Sequence, residues 1–589
     1  MNATSSYFRD IPLTSLTRVA SGQEDADLAI LNARIVNVYS GEILDNRTVG
    51  IKGEWIAWVG ESPKQVDKAH TRIIDAGGKT VIPGFIDGHT HMAWLTDPAD
   101  FLETVMKGGT TTLITETMET FPILGSEGVK DFLAALRNQP IKIFTTAPAM
   151  ASISGKTRGM SVAVLSDLLN QEGMVGLGES YWQAVVQDPD IFLPMFGRVL
   201  AAGKLLEGHS AGASGKKLMA YAAAGVSSCH EPISADEVLS RLRLGLYVMI
   251  REGSIRRDLE AISKIRDFGI DFRRLILVTD GATPEDLLHK GYMEFVVQKA
   301  IDCGFDAVTA IQMATLNVAE HFGLDALVGG IAPAKHADML IVPDPATIVP
   351  EVVISRGRVV AKNGQALVRP RRHVFSRQSL ASVDIPEPLK PVDFAIRPLQ
   401  DGPLVRVRII DLITELVTQE LEMEMPVAGG ELLTDIGKDI IKVSAIDRVH
   451  EPGKRFTGLV RGTGMKSGAF ASSAAWDSSD IIVVGASDAD MALAVNRIRE
   501  MRGGAVVCDG QAVLAELALP VMGIMADIPI AEMARQLDAI RTAIAGLGVH
   551  FSDPLLTFVT LTGAAIPYLR ICDEGLVNLK NGKTTGLWI

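Results

Sequence analysis

Residues 83–92 read PGFIDGHTHM, from Pro83 through Asp87, His89 and His91 to Met92. A short apolar run ends in two histidines spaced two apart. Side chains two apart on a strand share a face, so His89 and His91 can reach one cation together. Alone, the pair is equally readable as two polar residues at a strand end, and the surrounding sequence decides between the two.

Outward from this stretch, over about residues 84–328, apolar runs of strand length alternate with amphipathic stretches of helical length. Eight runs can be counted: VIPGFIDGH, TTLITE, IKIFTTAP, MVGLGE, KLLEGH, GVSSCH, LYVMIRE and LILVTD. Helix signals fall between them. Ser234 with Glu237 reads as a capping box, and Thr283 followed by Pro284 as an N-cap and first helical residue. Eight β-α units over about 245 residues match a (β/α)8 TIM barrel, whose chemistry gathers at the C-terminal ends of its strands. The fold class is therefore α/β.

The flanks have a different grammar. Residues 27–83 and 329–368 both read as short strands broken by turn signals. The expectation is one composite β-sandwich domain made of 1–83 plus 329–369, with the metal-dependent barrel of 84–328 inserted into it. Residues 370–400, rich in Pro and Arg, read as a linker, and the basic cluster Arg369, Arg371 and Arg372 as its solvated part. Residues 401–589 read as a separate C-terminal α+β domain.

The 589 residues are 47% hydrophobic and 22% charged, the composition of a soluble globular protein. A net charge of -13 argues against a nucleic-acid-binding face, which needs clustered Lys and Arg. Four cysteines, widely spaced and without a CxxC pair, indicate neither a disulfide framework nor a zinc ribbon, and point to a reducing, cytoplasmic setting. The first residues show no charged start followed by an apolar run, so no secretory signal is read. No stretch reaches the roughly 18 uninterrupted apolar residues of a membrane span.

Of eleven histidines, four close expected barrel strands: His89, His91, His209 and His230. Glu179 closes the fourth strand and Asp280 the eighth. Several imidazoles with carboxylates suit Zn, Mn or Fe(II) better than Mg or Ca, which prefer all-oxygen shells. Cys229 reads as packing, Gly462 and Gly464 as a hairpin turn, and Trp94 and Trp182 as candidates to stack on a flat ligand. Glu116 is read as background.

The sequence HxH after the first strand, His after the fifth and sixth, and Asp after the eighth resembles the amidohydrolase superfamily pattern. Within it the chain resembles bacterial adenine deaminases nearly end to end, most tellingly in GMKSGAFASSAAWDSSDIIVVGASDADMALAVNRIREMRGGAVVCDGQAVLAELALPVMGIMAD; GLGES and LLEGHSAG also fit. It departs from them in TETME, where an Asp-Pro-His-Glu stretch is usual and only Glu119 is kept. It departs also at Cys229, and at Trp476 and Ser479, where histidines are usual.

The resemblance implies hydrolytic deamination of adenine to hypoxanthine and ammonia, with two divalent metal ions (Mn, Fe or Zn). It implies His89, His91 and Asp280 on one ion and His209 and His230 on the other. One of Glu179 and Glu119 would bridge them, and the other would be the general acid near adenine N1, with Asp280 as base. A homodimer is expected with it. Two alternatives stay open: hydrolysis of a cyclic amide, whose enzymes bridge their metals with a carboxylated lysine where this chain has Glu179, and a non-catalytic metal-binding scaffold.

Overall fold

The eight apolar runs become eight parallel strands: β1 (Phe85–Thr90), β2 (Thr110–Thr115), β3 (Lys142–Ala147), β4 (Met174–Tyr181), β5 (Leu205–His209), β6 (Ser228–Cys229), β7 (Tyr247–Arg251) and β8 (Leu275–Val278). This is a computed structural model, and it describes residues 11–61, 66, 69–399 and 402–589. The reading of the first residues as free of a secretory signal falls largely outside these, as do small parts of the expected β-domain and linker.

Strands β1–β5 form one sheet and β6–β8 another. Backbone hydrogen bonds cross both seams: Ser227 N–H donates to Leu206 O at 2.9 Å, and Asp280 N–H to His89 O at 3.0 Å. The result is a TIM-like barrel. Every residue of β1, β2, β3 and β4 is buried, as in a parallel sheet covered on both faces. Helix starts follow the sequence chemistry. Thr283 Oγ1 accepts from Asp286 N–H with Pro284 at the first helical position. Ser234 Oγ accepts from Glu237 N–H, while the Glu237 carboxylate reaches Ile233 N–H rather than that of Ser234.

The chain before the barrel and the chain after it share one nine-stranded sheet. Its join is antiparallel pairing of Thr80–Pro83 with Met339–Val342. The hydrogen bonding runs through this sheet without a break, where the sequence reading expected a sandwich. At the barrel floor, Lys142 Nζ lies 2.7 Å from Asp338 Oδ1, and both side chains are buried. Burial pulls Lys142 down to about 8, and Lys142 in turn holds Asp338 below the usual carboxylate range against its own desolvation.

Arg369, Arg371 and Arg372 are exposed, as the sequence reading expected, and the segment that carries them is nevertheless held against the barrel. Arg372 pairs with Asp97 and Asp100, and Arg371 donates to carbonyls at the end of the Phe121–Leu136 helix. Asp131 of that helix receives His373, Ser376 and Ser379. Acids on barrel helices thus pin the basic segment, and Phe375, Ile385 and Phe394 bury beneath it.

The C-terminal residues build a second nine-stranded sheet, with the helices Asp488–Met501 and Ile530–Gly546, and a small three-stranded sheet at the end. They pack on the loops that leave the C-terminal ends of the barrel strands. Leu95 and Ala526 exchange backbone hydrogen bonds across the junction with Ile524 and Leu95, each at 2.8 Å, and Lys156 Nζ reaches Asp447 and Asp573 at 3.0 and 2.7 Å. Among the described residues no helix is long and apolar enough to cross a membrane.

Candidate metal centre

Strand ends put the donors in one place. His89 and His91 leave β1 on one face, Glu179 lies near the end of β4, His209 ends β5, His230 follows β6, and Asp280 follows β8. All six are at most 6% exposed. Asp280 adopts a left-handed backbone (φ +61°), a conformation costly for most residues but tolerated by Asp, and its N–H bond to His89 O holds it there.

Asp280 Oδ1 lies 3.2 Å from His89 Nε2 and 3.3 Å from His91 Nε2. On the other side His209 Nδ1 and His230 Nε2 are 3.1 Å apart. Glu179 stands between the two sets: Oε1 is 3.4 Å from His91 Nε2, while Oε2 is 2.8 Å from His209 Nδ1 and 3.1 Å from His230 Nε2. Three overlapping groups have donor atoms close enough to hold an ion: His89, His91 and Asp280; His89, Glu179 and His230; and His209, His230 and Glu231.

Glu119 sits elsewhere. Its Oε1 meets His91 Nδ1 at 2.6 Å, the ring nitrogen turned away from Glu179 and Asp280, and it does not line the cavity above the centre. The expected general-acid position near a bound ring is therefore not where Glu119 is found. Glu116, read as background, is another correction. It is 2% exposed, its Oε1 accepts from Glu179 N–H at 3.2 Å, and it lies 3.6 Å from His89 Nδ1. Glycine is required opposite it, because a Cβ on Gly178 would stand 1.9 Å from Glu116 Oε2.

The electrostatics are those of a site built for positive charge. Five carboxylates (Glu116, Glu119, Glu179, Glu231 and Asp280) converge on four imidazoles, with Arg251, among the described residues, as the fixed cation beside them. Against the desolvation of burial, Asp280 and Glu119 drive His91 well above the usual imidazole range, and Glu179 and Glu231 do the same for His230. Burial and the neighbouring His230 push His89 down. Despite burial, His209 and His230 hold Glu179 far below the carboxylate range, and His89, His91 and Arg251 do so for Asp280. Burial and Glu179 lift Glu116 to about 8. Two buried ring nitrogens, His89 Nε2 and His209 Nε2, make no hydrogen bond, although Asp280 is near the first. Unpaired buried donors beside excess carboxylate fit divalent cations.

Sequence reasoning missed Glu231, Arg251, Tyr181 and Asp477. Arg251 Nη1 touches Glu231 Oε1 and lies 3.2 Å from Asp280 Oδ2, while its other nitrogens hold Asp258. Both Glu231 and Arg251 carried a signal, since one follows the sixth-strand histidine and the other is the last residue but one of the seventh run. Asp477, from the C-terminal domain, carries no local signal. It accepts from Tyr181 Oη, and burial followed by the nearby Glu179 lifts it to about 7.

A cavity of about 550 Å3 opens above the centre. The barrel supplies His91, Glu179, Glu231 and Asp280 to its wall, and the C-terminal domain supplies Trp476, Leu556 and Ile566. Trp476 packs edge-on to His91 (5.1 Å between centroids) and to Trp94 (5.4 Å). Neither Trp94 nor Trp182 lines the cavity; Trp182 Nε1 donates to Ala211 O. Cys229 is buried, with Sγ against Ser210 Oγ and Glu231 N–H. Gly462 and Gly464 lie between the strands Arg455–Arg461 and Ala469–Ser472, which do not pair with each other, so the expected hairpin turn is not formed; Gly464 N–H donates to Asp439 Oδ1 at 2.9 Å.

A TIM-like barrel with this rim is that of a metal-dependent hydrolase of the amidohydrolase class, and residues 80–363 match the Amidohydrolase family. Residues 415–583 match the Adenine deaminase C-terminal domain. An adenine deaminase of Moorella thermoacetica is 38% identical, covering 98% of each chain. One of Dehalococcoides mccartyi is 36% identical over 96% of this chain and 98% of its own, and one of Clostridium botulinum 33% over 98% and 97%. Among solved structures, an N-acetylglucosamine-6-phosphate deacetylase from Pasteurella multocida aligns with 56% of this chain and 99% of its own, at 16% identity and a TM-score of 0.45. The chain belongs to the adenine deaminase family.

Proposed function

We propose that the centre holds two divalent cations (Mn, Fe or Zn) and that the cavity above it receives adenine, which is hydrolysed to hypoxanthine and ammonia. His89, His91 and Asp280 would hold one cation and His209 and His230 the other, with Glu179 between the two sets. The observation that carries this is the division of Glu179, with Oε1 toward His91 and Oε2 toward His209 and His230. Cations held there supply hydroxide at neutral pH by lowering the pKa of water.

The chain's own groups do the rest. Asp280 receives the water's proton at Oδ2, the oxygen that Arg251 holds in place. Arg251 Nη1 also touches Glu231 Oε1, so the two carboxylates share one edge of the cavity, and Asp280 passes the proton on to adenine N1. Oxygen bonds to C6, the C6–N bond breaks, and the amino group leaves as ammonia with the second proton of the same water, given up by the new hydroxyl as it becomes the carbonyl. Trp476 and the apolar residues beside it exclude bulk water and offer the purine a flat wall.

The same reading gives a cytoplasmic homodimer. All four cysteines being free, three of them buried, supports the reducing compartment. The test is ammonia release from a purine panel by Mn2+-loaded protein. Adenine-dependent release supports the reading. Turnover of dihydroorotate or a hydantoin without adenine turnover overturns it.

A further inference from the structure

The C-terminal domain reaches the centre through two adjacent side chains, Trp476 against His91 and Asp477 against Tyr181. Asp477 is 6% exposed, and its carboxylate takes the Tyr181 hydroxyl on both oxygens, at 3.0 Å to Oδ1 and 2.9 Å to Oδ2. The domain holds it from several directions. Ala564 N–H donates to Oδ2 at 3.1 Å, Ser152 Oγ from the barrel donates to its carbonyl at 3.0 Å, and its backbone is locked left-handed at φ +59°. The residue before it is equally fixed, because Thr562 Oγ1 donates to Trp476 O at 2.7 Å.

Tyr181 ends β4 two residues after Glu179, and strand alternation puts both on one side of the sheet. Its ring meets His209 edge-on, with centroids 4.9 Å apart and planes at 74°. His209 Nε2 makes no hydrogen bond, so nothing polar on that nitrogen sets the plane of the ring. Its Nδ1 meets Glu179 Oε2 at 2.8 Å and His230 Nε2 at 3.1 Å, so these contacts hold the inner edge of the ring, and the ring is steadied from behind by packing against the tyrosine that Asp477 holds.

We propose that Asp477 is a positioning residue that acts from the C-terminal domain through Tyr181. It fixes the plane of His209 and the end of β4 that carries Glu179, so the second cation set is complete only with that domain docked. This rests on the two-cation reading above. Groups that orient metal-binding side chains from behind typically govern metal affinity by 10–100-fold when altered.

The test measures Mn2+ affinity by competition with a chelator, alongside kcat and KM for adenine, on the full chain. Tyr181→Phe and Asp477→Ala should each weaken the weaker Mn2+ equivalent by about 10-fold or more and lower kcat more than they raise KM. The double variant should lose little beyond either single one, because the pair acts as one unit. Asp477→Asn, which keeps an acceptor for the hydroxyl, should stay within about threefold of the parent. Near-ultraviolet circular dichroism checks that each variant is folded. If Tyr181→Phe binds Mn2+ within about twofold of the parent, or if the two losses simply add, the proposal is overturned. Two Mn2+ bound without adenine turnover removes the substrate reading and leaves the clamp standing on its affinity data. A parent chain that takes up no Mn2+ overturns both.

Discussion

Glu119 Oε1 lies 2.6 Å from His91 Nδ1, which leaves Nε2 as the ring nitrogen that faces Glu179 and Asp280. A carboxylate on the outer nitrogen fixes the tautomer and raises the basicity of the inner one. Glu119→Gln should therefore weaken metal binding by about 10–100-fold while leaving the apo fold intact. Titration with Mn2+ and a thermal melt of the apo-protein read the two effects separately. Unchanged affinity would show that His91 is oriented by something else.

Gly178 is the tightest test of the geometry around Glu116. A methyl group there would stand 1.9 Å from Glu116 Oε2 and 2.9 Å from Thr146 Oγ1, so Glu116 must move, and it holds the backbone of Glu179. Gly178→Ala should cost about 1–3 kcal/mol in stability by overpacking. Displacement of Glu179 by an ångström should cost far more in rate, about 100-fold in kcat. Steady-state kinetics on folded variant protein checks this, and a kcat within twofold of the parent would refute it.

At the other end of the barrel, the Lys142–Asp338 pair ties β3 to the nine-stranded sheet with both side chains buried. Lys142→Met strands a buried aspartate and should destabilise the chain by about 3–5 kcal/mol. Lys142→Met with Asp338→Leu should recover most of that, since two apolar groups replace the pair without an orphaned charge. Urea unfolding of the three proteins decides it. Equal losses in the single and double variants would show that packing rather than charge matters here.

Arg251 links the acids on the cavity edge, touching Glu231, Asp280 and Asp258. Arg251→Met leaves three buried carboxylates short of their cation, and kcat/KM for adenine should fall by about 100-fold or more, with Arg251→Lys in between because a single ammonium cannot serve the same fork. Unaltered kinetics in Arg251→Met would show that Arg251 does not hold Asp280 for the proton transfer.

The barrel was legible because each of its strands is a short apolar run and its chemistry sits at the run's end. His89, His209 and Asp280 could be found by reading those ends. The same rule, applied to the seventh run, stops at Glu252, one residue past Arg251, where the strand itself ends. Glu116 and Glu119 show where a strand-end rule stops. TETME leaves β2 in irregular backbone, and only the turn itself determines that Glu116 faces Glu179 while Glu119 passes behind His91. Asp477 was out of reach for a different reason. Its partner Tyr181 lies 296 positions away, and no local pattern encodes a contact made by docking one domain on another. The segment at 370–399 was legible only in part: its arginines are exposed as they read, while the acids that hold it, Asp97, Asp100 and Asp131, lie far away in the sequence.

The most direct test of the two-cation centre is an anomalous-scattering map of crystals grown with Mn2+. Two peaks should flank the Glu179 carboxylate, one among His89, His91 and Asp280 and the other against His209 and His230. A single peak, or a pair on one side of Glu179, would contradict it.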